Sequence, residues 1–221
     1  MDKFIFLEAT VGDIPFIVTT IIEAEKSGTD KLPYSTIFGL TEEEVRISLE
    51  DILLEEIHGC ELSLSSFIVA EYNGQTAGAI SAWIEANDGI PSTVVKGNLL
   101  HHILPKKCLE RRFALNDMLY ELHIKYKPGT IQIGAVYVTK EFRGNDLGGL
   151  MTKEIITRLS KIKPGLSAIY SNVFSCNAPA IRANEKLEYK VVHIMEATNE
   201  EILKYLPSNR KLVMMKDLTS N

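Results

Sequence analysis

The segment Val136-Tyr137-Val138-Thr139-Lys140-Glu141-Phe142-Arg143-Gly144-Asn145-Asp146-Leu147-Gly148-Gly149 joins an apolar run, a glycine-containing loop and the start of an amphipathic helix. At such a junction the first helical N–H groups have no internal partner, and glycine lets a ligand approach the main chain without a Cβ in the way. The helix dipole adds partial positive charge, and Arg143 or Lys140 adds a full one, so the amides of Gly144 to Gly149 suit phosphate or pyrophosphate. Neither a GxxxxGK[ST] run nor a GxGxxG fingerprint is present. The competing reading is structural: Gly144 forms a tight turn, while Gly148 and Gly149 permit close packing of helix on sheet.

Other reactive side chains are scattered. His123 has an ordinary pKa suited to a general base, and its segment leads towards the apolar run at residues 130–138. His101 and His102 are adjacent on a predicted helix and cannot share one face, which argues for surface histidines rather than a metal pair. Glu85, at a strand end, either attracts a cationic amine or is simply solvated. Cys60, Cys108 and Cys176 are an odd, widely spaced set without a CxxC pair, which fits reduced thiols and no metal site.

The elements that must hold these groups follow from periodicity and punctuation. Lys3 to Ala9 alternates as a strand, and Asp13 can cap a helix to about Lys26. Gly28 to Tyr34 reads as a loop, and Thr41 with Glu44 forms a capping-box pattern opening a helix to about Ile57. Asn73-Gly74 between Phe67–Tyr72 and Gln75–Glu85 marks a hairpin with a type I′ turn. Ser92 to Ile103 and Lys106 to Leu119 read as helices within a helical insertion over about 86–127. Then come a strand at 130–138, a helix from Asp146 to Ile162, a strand at Ala168–Phe174 and a helix at Ala178–Leu187. Two late strands, Tyr189–Met195 and Lys211–Met215, complete a mixed α/β chain.

Composition bounds the rest. The chain has 221 residues, 45% hydrophobic and 24% charged, and no linker-like stretch divides it, so a single domain over 1–221 is expected. A net charge of −5 and a pI near 5.6 argue against nucleic acid or an anionic membrane as partner. The start Met1-Asp2-Lys3 and the short apolar run after it lack the features of a signal peptide, and no run is long enough to span a bilayer, so a cytoplasmic location is expected.

Two segments together resemble the GNAT superfamily of acyl-CoA-dependent N-acetyltransferases. Its [RQ]-x-x-G-x-[GA] signature after a strand ending in Val is matched by Arg143-Gly144-Asn145-Asp146-Leu147-Gly148 after Val138, with Asp146 where the family usually has Gly. A second motif, Asn-x-x-Ala followed by a helix, is matched by Asn177-Ala178-Pro179-Ala180 and then Asn184-Glu185-Lys186-Leu187-Glu188-Tyr189. The resemblance covers about residues 130–195. It implies a largely antiparallel central sheet flanked by helices, with the insertion preceding the central strand.

It also implies acetyl-CoA as co-substrate. The main chain of Val136, Tyr137 and Val138 would hold the pantetheine arm as an added strand, the amides of Gly144, Asn145, Asp146, Leu147, Gly148 and Gly149 the pyrophosphate with Arg143, and Asn177 would contact the pantetheine or the cofactor's far end. Asp146 would either cap the helix or repel the pyrophosphate. The carboxylates that many members use as bases have no counterpart, because Gln132, Asn172 and Asn184 stand at those places. The remaining candidates are His123 as base and Tyr170, sharing strand parity with Asn172, as proton donor to the departing thiolate, or else as a packed core residue. Cys176 beside Asn177 invites a covalent acyl-enzyme, but a free Cys is more often a small buried hydrophobe. The expected activity is acetyl transfer to a primary amine of a small molecule or protein. The alternative is a catalytically silent acyl-CoA-binding sensor or scaffold. A homodimer through the insertion or a late strand edge stays open.

Overall fold

The computed structural model describes residues 4–55 and 57–219, so Met1, Asp2, Lys3, Glu56, Ser220 and Asn221 lie outside the described residues. Strands β1 (Ile5–Glu8), β2 (Phe67–Tyr72), β3 (Gln75–Ile84), β4 (Ile131–Val138), β5 (Ala168–Phe174), β6 (Lys190–Glu196) and β7 (Arg210–Asp217) form one seven-stranded sheet. The order is β1-β2-β3-β4-β5-β7-β6, and only β4 and β5 are parallel. The helices are α1 (Ile14–Lys26), α2 (Pro33–Phe38), α3 (Glu42–Leu54), α4 (Ser92–Ile103), α5 (Lys106–Ala114), α6 (Asn116–Tyr120), α7 (Leu147–Ile162) and α8 (Ala178–Lys186).

Local chemistry accounts for most of these boundaries. The Thr41 hydroxyl accepts from Glu44 N at 3.2 Å while the Glu44 carboxylate accepts from Thr41 N at 2.8 Å, a reciprocal cap that starts α3. Asn73 and Gly74 both have positive φ, 49° and 77°, as a type I′ turn requires. In α1, Ile17, Val18, Ile21 and Ile22 are almost fully buried, and each such side chain removed from water is worth about 1.5–3 kcal/mol. That stripe joins α3 and the insertion in one core, while α7 packs Leu147, Met151 and Ile155 into a second core against β3, β4 and β5.

Four expectations need correction. The stretch Gly28 to Tyr34 is not all loop: Pro33 opens α2, and Gly39 closes it with φ 71°, a Pro-first, Gly-last pattern hidden by the polar residues before it. The helix expected over Lys106–Leu119 breaks at Leu115, where Asn116 and Asp117 favour a new start over continuation. The Asp13 carboxylate does not cap α1; it accepts from Thr10 N and Oγ1 at 2.8 and 2.7 Å and closes the preceding 3-10 turn. Glu85 is not a solvated strand end. It is 2% exposed and accepts from Trp83 Nε1 at 3.0 Å, from Ser92 N at 3.1 Å and from the Ser92 hydroxyl, tying the start of α4 to the sheet.

Strands β4 and β5 pair over only three residues, Ile131–Ile133 against Ile169–Ser171, and then part. On its other side β4 stays paired with β3 through Val138, but its register shifts: Ile80 faces Val136 while Ala82 faces Ile133, so β4 carries one extra residue opposite Ser81. The Ser81 hydroxyl accepts from Ala135 N at 2.8 Å, and a Cβ at Gly134 would lie 2.5 Å from that same oxygen, so glycine is required there. From Gly134 to Val138, therefore, the β5-facing edge of β4 has no strand partner among the described residues.

Candidate active site

A cavity of about 630 Å³ lies beside the bulge, with Gly134 and Ala135 of β4 and Asn172 and Phe174 of β5 on its walls. Helix α1 contributes Glu25, and α2 contributes Tyr34 and Phe38. The insertion covers the cavity with Lys96 of α4, Arg112 of α5, and His123 and Tyr126 of the chain leading to β4. Glu61 from the loop after α3 and Lys211 of β7 complete its charged lining. Trp83 and Tyr126 meet edge to face with centroids 5.8 Å apart, and Lys96 sits 5.5 Å from the Tyr34 ring centre.

The charges in this cavity are unequal in their pairing. Lys96 and Glu61 form an ion pair. Burial alone would lower the Lys96 pKa, but Glu61, Tyr34 and Glu25 outweigh it and hold it well above the ordinary value. Glu25 has neither a hydrogen bond nor an ion pair among the described residues. Burial raises its carboxyl pKa against the pull of Lys96, so its proton affinity is shifted towards that of a useful base. Burial lowers the pKa of Lys211, whose ammonium lies 4.6 Å from the Phe174 ring centre. The Asn172 Oδ1 is fully enclosed and has no hydrogen-bond partner among the described residues.

At the far end of β4 the loop runs into α7. Asp146 is the residue before the helix, with φ 55° in the left-handed region, the conformation that explains a glycine preference at this place in the motif. None of the amides of Gly144, Asn145, Asp146, Leu147, Gly148 and Gly149 donates a hydrogen bond among the described residues. Gly144 has φ 87°, consistent with its tight-turn role. A Cβ at Gly148 would meet nothing within 4 Å, so this glycine is not there for close packing; it leaves space in front of the free amides. The Asp146 carboxylate makes no capping hydrogen bond and instead leans over Gly149, whose Cβ would lie 2.8 Å from Asp146 Oδ1.

Arg143 is exposed; its Nε donates to the Val138 carbonyl at 3.1 Å and its guanidinium lies 5.8 Å from the Tyr137 ring centre. Val136 is 38% exposed. Asn177 caps α8, its Oδ1 accepting from Ala180 N at 3.2 Å. Asn184 donates to the Ser171 hydroxyl at 2.9 Å, and Gln132 donates to Thr130 Oγ1 at 2.8 Å, so both amides are tied into the fold.

The two catalytic candidates fare differently. His123 lines the cavity but is exposed, stacked on Tyr120 at 5.5 Å; burial, Lys211, Lys125 and Arg112 all lower its pKa. Tyr170 lies in the row between Gln132 and Met215 and is not among the residues lining the cavity. Cys176 is exposed, its thiol pKa raised by partial burial, and it too lies outside the cavity lining. Glu25, Glu61, Lys96 and Lys211 escaped the sequence reading because they come from four separate segments whose local patterns do not set them apart from ordinary surface charges; an acid closing the buried stripe of α1 was one local signal.

Among the described residues no group of three or more His, Cys, Asp or Glu could hold a metal ion, and no helix is long and apolar enough to cross a membrane. The family model of the acetyltransferase (GNAT) family matches residues 34–189. No curated protein matches the chain in sequence. Among solved structures, an N-acetyltransferase from Staphylococcus aureus Mu50 superposes with a TM-score of 0.66 at 12% identity, covering 96% of this chain and 100% of that one. A polyamine N-acetyltransferase of Drosophila melanogaster, described as forming N-acetylagmatine, gives 0.59 at 13% identity over 98% and 100%. A ribosomal-protein-alanine N-acetyltransferase of Brucella melitensis gives 0.53 at 16% identity over 97% and 99%. At these identities the structural matches establish the fold.

Proposed function

The chain belongs to the acetyltransferase (GNAT) family and is an acyltransferase of that type, and we propose that it transfers acetyl from acetyl-CoA to a primary amine of a small molecule. The observation that carries this reading is the course of β4. Gly134 and Ala135 line the cavity where β5 departs, and the same strand runs on to the unpaired amides before α7. One strand thus links a place for an acceptor with a place for a diphosphate.

The residues fit acetyl-CoA. The free amides of Gly144 to Gly149 and the guanidinium of Arg143 would hold the pyrophosphate, and the unpaired edge of Val136, Tyr137 and Val138 would bind the pantetheine amides as a strand would. When bound, acetyl-CoA supplies an activated acyl group as a thioester. The main-chain N–H at Gly134 would stabilise negative charge on the carbonyl oxygen as the amine attacks, that of Ala135 being held by Ser81. Glu25 binds the ammonium form of the acceptor and takes its proton, while Asn172 Oδ1 accepts a hydrogen bond from the amine and orients it. A cavity walled by the insertion favours a small acceptor over a protein.

Calorimetry with acetyl-CoA tests the cofactor half. Saturable binding by the wild type and its loss in Gly148→Trp, a substitution directed into open space, are expected. No binding at millimolar acetyl-CoA would overturn the reading. Thiol release across an amine panel tests turnover, and binding without any turnover would favour the sensor reading instead.

A further inference from the structure

Glu25 on α1 and Lys211 on β7 are opposite charges facing one cavity, and neither has an ion-pair partner among the described residues. Lys96 and Glu61, half-buried charges of the same cavity, are paired with each other. Enclosing two charges without close partners is expensive, and the cost is relieved when a ligand brings the complementary pair. Lys211 is fixed by its approach to the Phe174 ring, and Asn172 Oδ1 stands as a further unsatisfied acceptor in the same wall.

We propose that the acceptor is a zwitterion, a primary amine bearing a carboxylate a few atoms away, held at its ammonium by Glu25 and Asn172 and at its carboxylate by Lys211. The proposal rests on the cavity being the acceptor site. The chain's net charge of −5 would favour polycations in general, but the cavity itself does not. Besides its two acids it presents Lys96, Lys211 and Arg112, so a second cationic group on an acceptor would meet at least one like charge. An amino acid or a similarly built molecule supplies partners to both Glu25 and Lys211, leaving the Lys96–Glu61 pair intact. The aromatic walls of Tyr34, Phe38, Trp83 and Tyr126 then accommodate an apolar or aromatic side chain.

The experiment uses matched acceptors with acetyl-CoA and reads thiol release: phenylalanine against phenethylamine, tryptophan against tryptamine, arginine against agmatine, ornithine against putrescine. The carboxylate-bearing member of at least one pair is expected to be preferred by about 10- to 100-fold in kcat/KM, chiefly through KM. That ratio should fall towards one in Lys211→Met and survive in Lys211→Arg. Methyl esters of the same amino acids make the subtraction from the ligand side on the wild type, so a Lys211→Met protein that fails to fold does not block the test. Equal or better turnover of the carboxylate-free amines overturns the zwitterion while leaving acetyl transfer intact. So does a preference that persists in Lys211→Met or with the esters. Silence across the whole panel with saturable acetyl-CoA binding overturns the zwitterion and favours the sensor reading, whereas failure to bind acetyl-CoA removes the cofactor half of the underlying reading as well.

Discussion

The carboxylate of Asp146 lies directly over the Cα of Gly149: a methyl group there would approach Asp146 Oδ1 to 2.8 Å. The acid therefore occupies the first turn of α7 without capping it, in a left-handed conformation that glycine adopts more easily. Asp146→Gly removes a negative charge beside the free amides and relaxes the backbone. Acetyl-CoA should bind about five- to tenfold more tightly at low salt, with the gain shrinking as ionic strength rises. Calorimetry at two salt concentrations checks this, and an unchanged affinity at low salt removes the repulsion.

Glu25→Gln separates the base from the rest of the site. Its loss should lower kcat by about 10²–10⁴ and abolish the acidic limb of the pH–rate profile, because only the ionised carboxylate takes the proton. The pKa of that limb should lie above the ordinary carboxylate value, raised by burial.

Stability should move the other way in the same variant. A carboxyl whose pKa is raised on folding favours the folded state most below its unfolded pKa, and that advantage is lost as pH rises through the folded value. At neutral pH the wild type therefore bears the cost of an enclosed charge. Glu25→Gln should melt higher than wild type at pH 7.5, and the gap should close on acidification below about pH 4. Paired thermal melts across pH read it directly.

Glu85 is the structural counterexample, an acid that is buried but fully employed. Glu85→Ala strands Trp83 Nε1, Ser92 N and the Ser92 hydroxyl and uncaps α4, at a cost of about 3 kcal/mol. The melting temperature should fall by roughly 6–12 °C, and since α4 carries Lys96, KM for the acceptor should rise.

Tyr170→Phe should leave kcat within about twofold, since its ring does not line the cavity. A large fall in kcat with unchanged acetyl-CoA affinity would return the proton-donor role to it.

The sequence was legible where local chemistry decides. The reciprocal cap of Thr41 and Glu44, the Asn73-Gly74 turn and the loop into α7 depend on neighbours in the chain, and each has its expected form. Parts set by partners far away in sequence were opaque. Glu25 and Lys211 are 186 positions apart in the numbering and meet only because β7 inserts between β5 and β6. Glu85 reads as a strand end until α4 folds back over it, and the bulge at Gly134 is visible only once Ser81 stands opposite. A glycine inside an Ile/Val strand was the one available hint of that bulge.

The early divergence of β4 from β5 leaves a seam through the middle of the sheet, with three residue pairs bridging four strands on one side and three on the other. A ligand seated along that seam acts as a splint: it supplies rungs that the chain itself omits. Occupancy should then stiffen the whole sheet rather than one loop, and slow amide exchange on both banks of the gap.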